Sequence, residues 1–189
     1  MRRGAWSIAL LLAAVGPAFA HPGHLDSGFL HPLTGYDHLL AMIGAGTWAA
    51  LLAARRPSAA YLLPSAFVAM MAVGAAAGFA GMKLPLAEAG LLASVFLLGV
   101  LVMAGVRVPV ATAMMVVGWF AVLHGYAHAV EAPPNNPGNY VLGFLTATAL
   151  LQMVGLGLGR IAQVLFGEPG LRALGGLILA GGAFVLASS

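Results

Sequence analysis

The chain has no cysteine and very little charge. Only 7% of its 189 residues are Asp, Glu, Lys or Arg, whereas soluble globular domains carry about 25%. Without cysteine, neither a disulfide framework nor a thiolate metal site can form, so nitrogen, oxygen or thioether sulfur would have to bind any metal. The 61% content of hydrophobic residues is typical of an integral membrane protein.

Sequence features of nucleotide and nucleic-acid binding are also missing. The chain has no Gly-x-x-x-x-Gly-Lys-Ser/Thr phosphate loop, so we expect that this chain alone uses no ATP. The net charge of +3 includes Arg2 and Arg3, which lie in a segment that we expect to be removed. Six basic residues then remain against five acidic ones. We therefore expect a lipid bilayer, and no nucleic acid, as a partner of the chain.

The first 20 residues have the pattern of a secretory signal peptide. Two arginines precede a short apolar run, and Ala18-Phe19-Ala20 fits the small-x-small rule for cleavage. The alternative is an uncleaved first helix, but the apolar run is shorter than the roughly 20 residues that a membrane-spanning helix needs. We therefore expect residues 1–20 to be cleaved and residues 21–189 to form a single membrane domain.

Six apolar stretches follow, and each is long enough to cross a hydrocarbon core of about 30 Å as a helix. Helices satisfy their own backbone groups in lipid, and the period-2 alternation of membrane barrel strands is absent. The sequence thus predicts an all-α integral membrane protein, a bundle of six transmembrane helices after a cleaved signal peptide. The predicted spans are approximately 32–54, 61–81, 86–106, 108–130, 140–159 and 170–187.

The charges in the short loops predict the orientation of this bundle. A cleaved signal peptide leaves the mature amino terminus outside, and basic residues concentrate in the inner loops of membrane proteins. With six spans, only Lys83 falls outside, and the basic residues that fall inside are Arg55, Arg56, Arg107, Arg160 and Arg172. We therefore expect a multi-pass protein of the bacterial inner membrane with both mature termini in the periplasm.

Every histidine falls on the predicted outer side of the membrane. Ionisable groups in or beside a span are costly unless they are paired, hydrated or bound to a ligand, so they are candidate functional residues. The histidines are His21, His24, His31, His38, His124 and His128, and the acids on the same side are Asp26, Asp37, Glu88 and Glu131.

The first cluster of these residues lies at the start of the first span. Pro32 suits the first turn of a helix, and helical spacing from there would put His31, His38 and Met42 on one face. Asp37 would lie about 100° around the helix from His38, either as a metal ligand or as the partner that orients an imidazole. Met42 and Glu88 are further candidates to support the ligands without binding the metal.

The second cluster lies at the end of the fourth span. His124, His128 and Glu131 follow the i, i+4, i+7 spacing, which offers two imidazoles and a carboxylate on one helix face. Such a set favours nickel, cobalt or zinc over calcium or magnesium. For any single histidine, the alternative is an ordinary hydrogen bond to a carbonyl or a lipid headgroup. We predict a metal site shared by the two clusters, with no permanently bound cofactor.

The predicted mature terminus offers a third, separate pair of histidines. His21 would carry a free amino group, and together with His24 it is a candidate for capturing a metal before it reaches the main site. The alternative is a flexible terminus without a role in binding.

The two clusters resemble the motifs of a known family. His31, Pro32, Gly35, Asp37 and His38 are similar to the His-Pro-x-x-Gly-x-Asp-His signature of the HupE/UreJ nickel permeases. The run from His124 to Glu131 resembles that family's His-Gly-x-Ala-His motif and the Glu that follows it, with Ala129 in place of a glycine. The resemblance covers essentially the whole chain and implies uptake of nickel or cobalt for the maturation of hydrogenase or urease.

Two other functions stay open on the same residues. A membrane-embedded metal hydrolase would use three protein ligands, an activated water and an acid as general base. A metal-sensing or maturation partner would bind the ion without moving it. We expect a permease and not an enzyme. In its inner half, the visible candidate ligands are Thr146, Thr148, Gln152 and methionines. The sequence does not predict the oligomeric state.

Overall fold

The computed structural model describes residues 28–85, 87–133 and 137–188. Within these residues the chain forms helices joined by short turns, with no β-strand, so the predicted all-α class is confirmed. The predicted signal peptide, together with His21, His24 and Asp26, lies outside the described residues. The helices are α1 (His31–Thr34), α2 (Tyr36–Ala53), α3 (Ala59–Phe79), α4 (Ala87–Met103), α5 (Val110–Val130) and α6 (Pro137–Ser188).

Three of these helices, α3, α5 and α6, are long and apolar enough to cross a membrane. Helix α4 is equally apolar in character but has only 17 residues. Helix α2 is the most enclosed, because 12 of its 18 residues are buried among the other helices. It therefore lies at the centre of the bundle, and its amino-terminal end carries two of the predicted site residues.

The first predicted span is not one continuous helix. Gly35 has an extended conformation (φ −81°, ψ 111°), which ends α1 after a single turn and starts α2 at the next residue. Pro32 lies in the first turn of α1, as expected. The prediction that His31 shares a straight helix face with His38 was therefore wrong. The two side chains meet because the chain bends between them.

Helix α6 contains a sharp break that separates the last two predicted spans. Gly167 has φ 67° and ψ −153°, a left-handed conformation that glycine adopts without a steric penalty, and Pro169 follows it. Beyond the break, Gly170 packs against the backbone of Ala162, so the chain folds back there. The helix before the break continues to residue 166, several residues beyond the predicted end at 159.

Glycines bring the helices into direct backbone contact. Gly46 of α2 lies against the carbonyl of Gln152 in α6, and Gly155 lies against the carbonyl of Ile43 in return. In the same way Gly74 of α3 touches α5, and Gly125 of α5 touches α3. In lipid, where hydrophobic drive between helices is weak, small residues permit this close approach. The register of these contacts shows that α2 runs parallel to residues 137–166, and α3 parallel to α5.

Candidate metal site

Three histidines from three different helices converge at one end of the bundle. The ligand atoms that His31, His38 and His128 offer all lie within 4.8 Å of one another. His31 belongs to α1, His38 to the first turn of α2 and His128 to the last turn of α5. His38 is 5% exposed and His128 is fully buried. The bend at Gly35 and the antiparallel course of α2 and α5 produce this convergence.

Asp37 orients the ring of His38. Its Oδ1 atom lies 2.7 Å from His38 Nδ1 and also accepts the backbone N–H of His38 at 2.8 Å. An ionised carboxylate only accepts hydrogen bonds, so Nδ1 carries the proton and Nε2 keeps its lone pair. His38 Nε2 is buried without a hydrogen-bond partner in the described part of the chain. This carboxylate–histidine arrangement is typical of metal-binding imidazoles, whose ligand basicity it raises.

A second acid pairs with a second histidine. Glu131 follows the last residue of α5, and its Oε2 lies 2.8 Å from Nε2 of His31. By the same argument His31 donates from Nε2, and its Nδ1 atom is the one that can bind a metal. The Glu131 side chain is 51% exposed, against 20% for His31. The pair therefore forms the solvent-facing edge of the site.

The ring of His128 is held by stacking instead of by a hydrogen bond. It lies parallel to the ring of Phe144 from α6, with centroids 4.8 Å apart and 7° between the planes. The centroid of His38 lies only 4.4 Å away on another side. Among the described residues, neither nitrogen of His128 has a hydrogen-bond partner. Stacking thus fixes the ring, and either nitrogen can carry the lone pair that binds a metal while the other carries the proton.

His124 lies one helical turn deeper than His128 and is held by a residue that was not predicted from the sequence. Its Nε2 lies 3.0 Å from Ser94 Oγ of α4, and that hydroxyl donates to Leu91 O at 2.5 Å. Because a hydroxyl has one proton, His124 Nε2 must be the donor, which leaves its Nδ1 with a lone pair. The ring centroid lies 5.1 Å from that of His38. His124 is therefore adjacent to the three-histidine group without belonging to it.

The remaining predicted residues lie around this group. Met42 is fully buried, one turn further along α2 than His38. Glu88 is not in the histidine group. Instead it lines, with Tyr126 and Glu131, a neighbouring cavity of about 520 Å³. Glu131 is thus the only acid of the predicted set that borders both the cavity and, among the described residues, a histidine of the group.

The aromatic wall of the site was not predicted from the sequence either. Phe144 stacks on His128, and the ring of Tyr140 lies 6.1 Å from that of His31. These aromatics are four residues apart on α6 and therefore on one helix face. The polar aromatic Tyr140 at the start of an apolar span could have indicated a site residue. The stacking of Phe144 on His128 could not be predicted, because it depends on packing between helices.

The donors of this arrangement suit a borderline divalent transition metal. Neutral imidazole nitrogens bind nickel, cobalt and zinc well, whereas calcium and magnesium prefer oxygen ligands. Two carboxylates hold imidazoles in the tautomers that direct a lone pair away from the acid. Binding requires the ligating nitrogens to be unprotonated, so metal and protons compete for them.

Comparison with known proteins identifies the family. A family model described as "HupE / UreJ protein" matches residues 8–185. The curated "Protein HupE" of Rhizobium leguminosarum bv. viciae is 40% identical over 180 residues, which cover 93% of each chain. No solved structure matches the chain. The match extends over both histidine clusters and nearly all the predicted spans, and the chain belongs to the HupE/UreJ family.

Proposed function

We propose that the chain is a permease for a divalent transition-metal ion, with nickel as the first candidate and cobalt as the second. The observation that carries the proposal is the convergence of His31, His38 and His128, whose ligand atoms lie within 4.8 Å of one another. The HupE/UreJ family is linked to nickel and cobalt uptake, which supports transport over catalysis. The ion would serve hydrogenase or urease maturation.

In this proposal a hydrated ion reaches the site beside the exposed Glu131 and exchanges its waters for imidazole nitrogens. His31 binds at the solvent-facing edge, the buried His128 binds through one ring nitrogen, and His38 binds through Nε2. Asp37 and Glu131 keep two of the rings in the binding tautomer and balance part of the charge of the ion. The ion then passes to the inner face when the bundle rearranges, because conduction requires release as well as binding.

The proposed topology has a signal peptide cleaved after Ala20, six spans and both mature termini in the periplasm. The six crossing segments would be α2, α3, α4, α5 and the two parts of α6 on either side of Gly167. Segments one and five pack in parallel, as do segments two and four, which is the order that alternate crossings produce. In this topology the histidine site would lie at the periplasmic face.

The topology can be tested with single cysteines, since the natural chain has none. In intact cells, Lys83→Cys should react with a membrane-impermeant thiol reagent, and Arg55→Cys should react only after the membrane is opened. The reverse pattern, or equal labelling of both positions, contradicts the proposed orientation.

Transport can be tested by uptake of radiolabelled nickel into proteoliposomes. His38→Ala and His128→Ala each remove a central metal ligand. Mutating a residue that only hydrogen-bonds to a ligand typically costs roughly 10- to 100-fold, so uptake should fall by more than that. Thr146→Val is the control, because Thr146 is exposed and its hydroxyl donates within its own helix to Leu142 O. Unchanged uptake in both histidine variants would contradict the proposal. Nickel binding without flux in the wild type would favour a hydrolase or a sensor.

A further inference from the structure

A row of buried side chains leads along α6 from the histidine site into the bundle. Its members are four residues apart, so they lie on one helix face. The row is Tyr140, Phe144, Thr148 and Gln152, and each is at most 2% exposed. Phe144 stacks on His128 and so marks the level of the site. With a rise of about 1.5 Å per residue, Thr148 lies about 6 Å and Gln152 about 12 Å further along the helix.

Gln152 is an uncharged polar residue with unused donors and acceptors in the interior. Both Oε1 and Nε2 are buried and have no hydrogen-bond partner among the described residues. Its backbone carbonyl lies against Gly46, which is two turns along α2 from His38. The positions along α2 and along α6 therefore give the same depth of Gln152 below the histidines. Buried amides in proteins are normally satisfied by protein groups, ordered water or an ion. The Gln152 side chain therefore has the capacity to bind a polar ligand at this depth.

Thr148 and Met71 lie between Gln152 and the histidine site. The Thr148 hydroxyl contacts Met71 Sδ at 3.3 Å, and both residues are fully buried. Met71 belongs to α3, where its backbone carbonyl touches Gly125, the neighbour of His124. The threonine and the methionine are thus at the level of the deepest histidine. The hydroxyl oxygen retains lone pairs, and the thioether is a soft, uncharged ligand.

We propose that Gln152 Oε1, Thr148 Oγ1 and Met71 Sδ form a second, inner binding station for the transported metal ion. This inference rests on the proposed function, because it concerns the path of the same ion after it leaves the histidines. The three donors are neutral, whereas the outer site combines imidazoles with two carboxylates. The inner station therefore binds the dication more weakly than the outer site, which permits release toward the inner face.

Thr146 is not part of this station, although it is a candidate ligand by sequence together with Thr148 and Gln152. It is exposed on another face of α6, and its hydroxyl donates to Leu142 O at 2.7 Å. Thr146→Val is therefore a matched control for Thr148→Val, with the same chemical change on the same helix.

The station is tested by measuring nickel uptake and nickel binding on the same purified variants. Gln152→Leu should lower uptake into proteoliposomes about tenfold or more, while high-affinity binding at the outer site stays within about twofold of wild type. His38→Ala should lose both uptake and high-affinity binding. Uptake by Gln152→Leu within about twofold of wild type overturns the inner station.

Two nearly isosteric variants decide the question if Gln152→Leu fails to fold. Thr148→Val and Met71→Leu should each lower uptake about threefold or more, and Thr146→Val should not. Wild-type uptake in both variants overturns the station.

Equilibrium dialysis at high nickel separates this inference from the proposed function. The wild type should bind one weak equivalent of nickel that Gln152→Leu or, failing that, Thr148→Val has lost. This difference supports the station even if no flux is measured, in which case the permease proposal alone fails. Equal numbers of bound ions in wild type and variant overturn the station.

Discussion

The two ends of the helix bundle both pair acids with bases, but they use different bases. At the end that we call the histidine end, Asp37 pairs with His38 at 2.7 Å and Glu131 pairs with His31 at 2.8 Å. At the opposite end, the arginine end, Glu168 pairs with Arg107 at 2.6 Å and with Arg172 at 3.6 Å. Similar distances therefore connect groups with different chemical capacities.

The difference lies in what remains after the pair has formed. An imidazole that donates one N–H to an acid keeps a second nitrogen with a lone pair, whereas a guanidinium has no acceptor. The Asp37–His38 pair is also more enclosed than the arginine pairs, whereas Glu168 is half exposed, as is Glu131, and lies next to the break at Gly167. The histidine pairs prepare ligands, whereas the Arg107–Glu168 pair ties the turn in α6 to the segment before α5 and the Arg172–Glu168 pair lies within α6.

The largest effect in this comparison is expected from removing the charge of Asp37. Asp37→Asn takes away the carboxylate that holds the Nδ1 proton of His38, so nickel affinity should fall about 10- to 100-fold. Calorimetric titration of the purified protein measures this change. Glu88→Gln is the matched control, because Glu88 is also a predicted outer acid but lines the neighbouring cavity. Equal losses in both variants would mean that general charge, and not orientation of His38, matters.

A smaller effect is expected from Ser94→Ala. The variant removes the acceptor for His124 Nε2–H and leaves that buried donor without a partner, which should cost about 1–3 kcal/mol of stability. Nickel affinity should fall about three- to tenfold, because the ring of His124, 5.1 Å from that of His38, is no longer held in place beside the ligands. Thermal unfolding and titration together measure the two effects. Ser188→Ala is the control, since Ser188 is exposed and bonds only locally to Val185 O. Unchanged affinity in Ser94→Ala would mean that the hydrogen bond to His124 has no influence on the three-histidine group.

The smallest effect on binding is expected at the arginine end. Glu168→Gln removes an exposed carboxylate, and exposed ion pairs contribute little to stability. Nickel affinity should therefore stay within about twofold of wild type. A large loss of affinity in this variant would break the distinction between the two ends.

The pH dependence of the arginine pair has a defined sign. The hydrogen bond from Arg107 lowers the pKa of Glu168 below its ordinary value of 4.5. A carboxylate with a lowered pKa stabilises the folded state above its ordinary pKa, and that contribution is lost as the pH falls through the lowered value. The difference in melting temperature between wild type and Glu168→Gln should therefore be constant from about pH 6 to 8 and shrink well below pH 4.5. A difference that grows on acidification would contradict the pairing.

Much of the fold could be predicted from the sequence, because the helices of a membrane protein correspond to long apolar runs. The predicted spans 61–81 and 108–130 coincide with α3 and α5 within two residues at each end. The boundaries failed where backbone geometry depends on single residues. Gly35 divides the first predicted span, and residues 160–166 extend the fifth one. Hydropathy reports how apolar a segment is, and it carries no information on a local bend.

The candidate site was predictable in its ligands more than in its geometry. Helical spacing within a cluster placed His124 and His128 on one side of α5, and packing then assigned them different roles. His128 enters the three-histidine group, while Ser94 holds His124 beside it. Ser94 is an unremarkable serine in an apolar run, and its partner is 30 positions away. No local pattern can report such a pair.

By itself, the sequence determined the membrane class, the approximate helices and the two histidine clusters, since composition and spacing depend only on neighbours along one chain segment. Tertiary structure decided which of those histidines meet, which nitrogens are left with lone pairs, and that Gln152 is buried below them. Those properties arise where α2, α4, α5 and α6 touch. Contacts between residues far apart in the chain depend on helix packing, which hydrophobic pattern alone leaves undetermined.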